Sequence, residues 1–219
     1  GMTSKSHELC LFIKVLSIDD VAQPKLFDPA LSEQRYAVVS QHLIEHNCES
    51  VLDLGCGDGR FLELLASSDN GTQRYIHGVD ISSSALRRAA EHLSQMDLSD
   101  GPEVRLSSGN LLDGNLLNWS PRPDAVVMIE VIEHLDPEPL ADIGRVVLGV
   151  IQPQVFIVTT PNWEYNRLMY YFGVFHSIDV LGRDGTPLHC SDHRSEWTRN
   201  EFQQWALNLA ERYNYSVTY

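Results

Sequence analysis

The amino-acid sequence predicts an α/β fold: a doubly wound, mostly parallel sheet with helices on both faces. Three observations carry this. Short apolar runs suited to buried strands alternate with amphipathic helical stretches. The first run ends in a glycine-rich turn, Gly55-Cys-Gly-Asp-Gly59, that leads directly into a helical pattern. Two later runs end in acidic residues, Asp80 and Glu130, which places polar groups at the carboxyl ends of strands, where open α/β sheets keep their sites.

Taken in order, residues 29–47 have helical periodicity, with Leu31, Tyr36, Val39, Leu43 and Ile44 near one face. Val51 to Leu54 is the strand that feeds the glycine turn, and Phe61, Leu62, Leu64 and Leu65 begin the helix after it. Residues 75–79 form the next strand. Residues 82–96 follow as an amphipathic helix capped by Ser82 or Ser83. Residues 104–106 read as a strand before the turn Ser108-Gly109-Asn110, and residues 126–129 as a buried one. A helix over 136–150, a strand over 155–159 and a helix started by the capping pair Thr198 and Glu201 complete the pattern. Residues 215–219 resemble an edge strand whose continuation is cut off. Residues 1–24 read as a loosely organised N-terminal extension, and 25–219 as one domain. Residues 167–190 have no clear period and carry Tyr170, Tyr171, Phe172, Phe175 and His176. They suit either a base-stacking lid or a packed surface loop.

Composition narrows the function. The chain of 219 residues is 43% hydrophobic, enough for one large core, and no apolar run approaches a membrane span. Four cysteines, Cys10, Cys48, Cys56 and Cys190, lack paired spacing, which suits a reduced intracellular protein without a zinc motif. Sixteen basic against 30 acidic residues give a net charge of -14. Phosphate neutralisation gains little over such a surface, so long nucleic acid, DNA included, is not expected to be gripped by this chain alone.

The glycine turn departs from the dinucleotide pattern G-x-G-x-x-G. Asp53 and Asp58 flank the helix N-terminus that it feeds, a poor setting for a diphosphate and a good one for a cationic ligand. S-adenosylmethionine, with a sulfonium and an amino group, matches that electrostatics. Asp53, Gly55, Gly57, Asp80 and Asn110 are the candidate contacts, Asp80 standing where such folds hold ribose hydroxyls. Taken alone, Asp80 also reads as a helix cap. Further on, Glu130, Glu133 and His134 share one face if the chain turns helically, and two carboxylates beside an imidazole suit a divalent cation. Spacing alone leaves open that these are polar residues meeting water at a strand end. His189, Asp192 and His193 lie in a connector before the last helix, where His193 is either solvent-exposed or a fourth ligand.

One combination is more specific. Phe27-x-Pro29-x-Leu31-x-x-Gln34-Arg35-Tyr36, Glu130-Val-Ile-Glu-His134, Thr160-Pro-Asn-x-Glu-Tyr-Asn166 and Asp192-His-x-x-Glu-Trp-Thr-Arg199, with Glu201-Phe-x-x-Trp-Ala206, resemble in that order the Hen1 small-RNA 2'-O-methyltransferases. Ala30 departs from the family, which often has a second proline there. The resemblance implies the Rossmann-like class I S-adenosylmethionine-dependent methyltransferase fold, and Mg2+ or Mn2+ held by Glu130, Glu133, His134 and His193, the same four residues being catalytic. It implies methylation of the 2'-hydroxyl at the 3' end of small single-stranded RNAs, protecting that end, in the manner of the animal enzymes that act on piRNAs. A Piwi-family protein presenting the RNA, no membrane and a cytoplasmic location with RNA granules as one setting are implied with it. Two other readings stay open: a metal-assisted quinone- or catechol-type O-methyltransferase, which shares the E-x-x-E-H run, and an inactive adaptor that binds a Piwi-type protein.

Overall fold

A computed structural model describes residues 28–68, 72–110, 122–169, 182, 185, 188, 190 and 192–219, and the backbone of 8–12, 170 and 171. Its strands are β1 (Glu8–Phe12), β2 (Ser50–Leu54), β3 (Tyr75–Asp80), β4 (Glu103–Ser108), β5 (Ala125–Ile129), β6 (Val155–Thr159) and β7 (Ser216–Thr218). They form one seven-stranded sheet in the order β4-β3-β2-β5-β6-β1-β7. The pairs β2 with β3, β2 with β5, β3 with β4 and β1 with β7 are parallel.

The chain divides into two compact units. The first, Val15–Val127 with Pro153–Val155, carries the glycine turn. Every residue of β2 is buried, as expected of a strand inside a parallel sheet. Helices α1 (Leu31–Glu45), α2 (Arg60–Ala66) and α3 (Ser83–Ser94) pack in series, α1 on α2 and α2 on α3. The Ser82 hydroxyl caps α3 by accepting from the Ala85 amide. Asp124 Oδ2 accepts from the Glu49 and Ser50 amides at 3.0 Å each and from the Ser50 hydroxyl at 2.9 Å. That single carboxylate aligns the start of β2 with the start of β5.

The second unit, Gly1–Lys14, Met128–Gln152 and Phe156–Tyr219, carries the histidines. Helix α4 (Pro137–Ile143) runs on as π-helix over Gly144–Ile151, where the sequence pattern gives one helix. Apolar spacing is too coarse to separate i→i+4 from i→i+5 bonding. Helix α6 (Arg199–Tyr213) packs on the π-helical segment, β1 and β7. Its start is a reciprocal capping box: the Thr198 amide donates to Glu201 Oε2 at 2.9 Å, and the Glu201 amide to Thr198 Oγ1 at 3.3 Å. Phe202 is fully buried, worth about 2–3 kcal/mol. It packs with Trp197 and Trp205 at ring separations of 6.0 and 5.7 Å.

Two further elements differ from the sequence expectation. Strand β1 lies inside residues 1–24, which carry no strand signal beyond one short apolar run, and it pairs with β7 from the far end of the chain. Helix α5 (Asn166–Tyr171) occupies the start of the stretch that lacks a period; six residues are too few to display one. Phe172, Phe175, His176, His189 and Phe27 lie outside the described residues. Among the described residues, no helix is long and apolar enough to cross a membrane.

Gly59 ends the glycine turn at φ +82°, and a Cβ there would come within 2.7 Å of Ala89 Cβ on α3. Left-handed strain and overpacking then add. Gly59→Ala should lower unfolding stability by about 2–4 kcal/mol in denaturant titration; an unchanged midpoint would show that α2 and α3 do not meet there.

Candidate functional site

The glycine turn is held by the end of β3. The Gly55 and Cys56 amides donate to the Val79 carbonyl at 2.8 and 3.1 Å. Asp80 takes the Gly57 amide on Oδ2 at 2.8 Å and the Ser82 amide on Oδ1 at 2.7 Å. The side chain expected to meet a ribose therefore also pins the turn and the entrance to α3, with lone pairs left on each oxygen. Gly57 has φ +55°, and a Cβ added to it would meet nothing within 4 Å. Bare backbone thus faces open space that a ligand can approach.

Asp53 is 2% exposed. Burial first, and the Asp80 charge second, push its carboxyl up to about 7. Two carboxylates so placed favour a cationic ligand, whose charge would stabilise ionised Asp53 beside Asp80. The residues present fit S-adenosylmethionine in that respect: a cation-seeking buried carboxylate, an uncovered glycine and a second acid at a strand end. Tyr36 of α1 adds to this setting. Its ring meets Phe61 at 5.4 Å, and burial, then Asp53, raise its hydroxyl pKa. The sequence pattern marks Tyr36 only as part of a helix face and a family motif. Asn110 is exposed just after β4, and the neighbouring Gly109 amide donates to the Asp80 carbonyl at 3.1 Å.

In the histidine unit, a 3-10 turn over Ile132–His134 follows β5. The ligand atoms of Glu133, His134 and His193 all lie within 4.8 Å of one another. Ligands about 2.1 Å from a divalent ion stand up to about 4.2 Å apart across it, so small side-chain movements would close the set on one ion. Glu133 is buried at 2% exposure, and its Oε2 accepts from the Thr160 hydroxyl at 3.1 Å. Its carbonyl accepts from the Arg194 and Ser195 amides, which ties the connector carrying His193 to the turn carrying Glu133 and His134. The two imidazoles meet edge to face at 4.8 Å.

His193 is buried, and its Nδ1 is hydrogen-bonded to Glu196 Oε1. Glu196 is 2% exposed, and its other oxygen accepts from the Asn166 amide group. A carboxylate on Nδ1 fixes ring orientation and tautomer and makes Nε2 the nitrogen for an ion. Sequence reasoning places Glu196 and Asn166 inside family motifs without giving either a task. The spacing His193 to Glu196 is the signal that was there to use.

Glu130 is outside the group whose ligand atoms lie within 4.8 Å of one another. It has φ +56°, its amide reaches Thr159, and its Oε1 accepts from the Thr159 hydroxyl at 2.9 Å. Glu130 does not share a helical face with Glu133 and His134, because the 3-10 turn starts two residues after it, beyond a left-handed bend.

Comparison with known proteins fits this picture. A family model described as a methyltransferase domain matches residues 52–153. The methyltransferase domain of the bacterial protein CtHen1-CN aligns at a TM-score of 0.66 and 35% identity over 85% of this chain and 88% of that one. The fold is that of a class I, S-adenosylmethionine-dependent methyltransferase, Rossmann-like and doubly wound. The small RNA 2'-O-methyltransferase of Arabidopsis thaliana is 34% identical over 98% of this chain, and that of Mus musculus 35% over 88%. The chain belongs to the Hen1 small-RNA 2'-O-methyltransferase family. It spans 24% of the Arabidopsis protein's length and 46% of the mouse protein's.

The raised Asp53 carboxyl gives a pH signature. With a folded pKa of about 7 against 3.8 unfolded, the folded state binds the extra proton, so this group's contribution to stability falls as pH rises through that window. A cation that favours ionised Asp53 releases that proton on binding. Affinity for S-adenosylmethionine should therefore rise about tenfold from about pH 6 to about pH 8. Calorimetry checks this, and Asp53→Asn should bind more weakly and lose the rise; an equal rise in that variant would place the titrating group elsewhere.

Proposed function

We propose that this chain transfers a methyl group from S-adenosylmethionine to the 2'-hydroxyl of the 3'-terminal nucleotide of small single-stranded RNA, with Mg2+ or Mn2+ as its metal. The observation that carries the reading is the meeting of Glu133, His134 and His193, remote in sequence, with His193 oriented by a buried carboxylate. The names of the relatives support the substrate class. Asp53, Gly55, Gly57, Asp80 and Asn110 are the proposed cofactor contacts, and the sulfonium supplies an electrophilic methyl group. Glu133, His134 and His193, with Glu130 as fourth ligand, are the proposed metal set; a divalent ion there supplies a Lewis acid that eases loss of a hydroxyl proton at neutral pH.

The chain's own residues do the positioning. Thr160 holds Glu133 by its hydroxyl. Glu196 and Asn166 hold His193, and Asp192 lies 3.3 Å from His134 Nδ1, so each imidazole has a carboxylate at Nδ1 and would meet a metal ion through Nε2. The acceptor is read as a terminal ribose bearing both its 2'- and 3'-hydroxyls. With a net charge of -14, the chain gains little from RNA phosphates, which favours delivery of a piRNA 3' end by a Piwi-family partner in the cytoplasm or its RNA granules.

Transfer of a labelled methyl group to a short single-stranded RNA tests this. Glu133→Ala and His193→Ala should each lower turnover at least ~100-fold while calorimetric cofactor binding stays near wild type. RNA with a 2'-deoxy terminal sugar, and a catechol, should take no label. Turnover surviving in both variants, or label entering the deoxy strand, would sink the proposal.

A further inference from the structure

A second group of ligand atoms lies beside the first: those of Cys190, Asp192 and His193 are also mutually within 4.8 Å. Its chemistry differs. Cys190 is exposed, and its thiol donates a hydrogen bond to the Asp192 carboxylate. That carboxylate also lies 3.3 Å from His134 Nδ1, so Asp192 touches both groups. With Nδ1 on Glu196, an ion in either group would have to meet His193 through Nε2. Thiolate with imidazole and carboxylate suits Zn2+ or Cd2+, whereas carboxylate and imidazole alone suit Mg2+ or Mn2+. Three protein ligands with a remaining position open are a usual zinc arrangement.

We infer that Cys190, Asp192 and His193 form a separate binding site for a soft divalent cation, and that an ion there takes His193 away from Glu133 and His134. Binding replaces the thiol proton, which leaves to solvent, with a sulfur-to-metal bond, and no redox change occurs. The site stands on its own residues; the competition rests on the metal reading proposed above. The consequence is an inhibitory response to soft metals in a protein whose sequence has no paired-cysteine zinc spacing. Cys48 and Cys56 are buried, so neither offers an accessible thiol of the same kind.

The test uses the whole chain, reduced and loaded with Mn2+, titrated with Cd2+. Thiolate-to-cadmium charge transfer in the ultraviolet reports the thiol site, and electron paramagnetic resonance reports released Mn2+. In the wild type, one equivalent of Cd2+ should bring up the band and release Mn2+. Cys190→Ser should lose the band and keep its Mn2+, while Glu133→Gln should keep the band. Absence of the band in wild type, or an equal band in Cys190→Ser, would overturn the site. Cd2+ and Mn2+ bound together would overturn the sharing of His193. A Cys190-dependent band in protein that never took up Mn2+ would support the thiol site and sink the reading of the Glu133 cluster.

Discussion

The hydrogen bond between His193 and the buried carboxylate of Glu196 is the constraint on which the histidine unit depends. A carboxylate excluded from water must be paired, and removing one partner of such a pair is far costlier than the pair's net worth. Glu196 meets that demand with His193 on one oxygen and Asn166 on the other. The connector is held at further points. Trp163 donates its amide to the Trp197 carbonyl, and Arg194 and Ser195 donate theirs to the Glu133 carbonyl. Behind these, Trp197 packs on Phe202 and Trp205, so burial in the helix α6 region holds the backbone that delivers His193. A loop residue thereby acquires the fixed orientation that a metal ligand requires.

The glycine-loop unit solves a related problem with the opposite sign. Burial and the Asp80 charge make ionised Asp53 costly, and the hydrogen bonds to Asp80 come from amides that build the turn itself. The turn is thus assembled around negative charge that a cationic cofactor offsets. Each unit carries one half of the proposed chemistry, a donor site built from backbone and buried acid and a cation site built from side chains of the β5 end and the last connector.

Much of this was legible in the sequence. Strands β2 through β6 follow from apolar runs with turn residues at their ends, and the start of α6 from Thr198 and Glu201, because those signals are local. What escaped was non-local or too short. Strand β1 is five residues paired with a partner at the other end of the chain, and α5 is a helix of six residues. The π-helical segment shares its apolar spacing with an ordinary helix. At the site, the residue types were readable but not their directions. Glu130 sits on a left-handed bend that turns its carboxylate to Thr159, and no spacing rule anticipates that. Glu196 and Asn166 read as motif letters until the fold brought them to His193. Cys190 had no cysteine partner in sequence and found Asp192 and His193 instead.

The central claim is that Glu196 presets His193 for a divalent ion. Mn2+ affinity, measured by calorimetry on the wild type and on Glu196→Gln with folding checked by circular dichroism, tests it most directly. The account predicts one ion on the wild type and about 10–100-fold weaker binding in the folded variant. Equal affinities in the two proteins would contradict it.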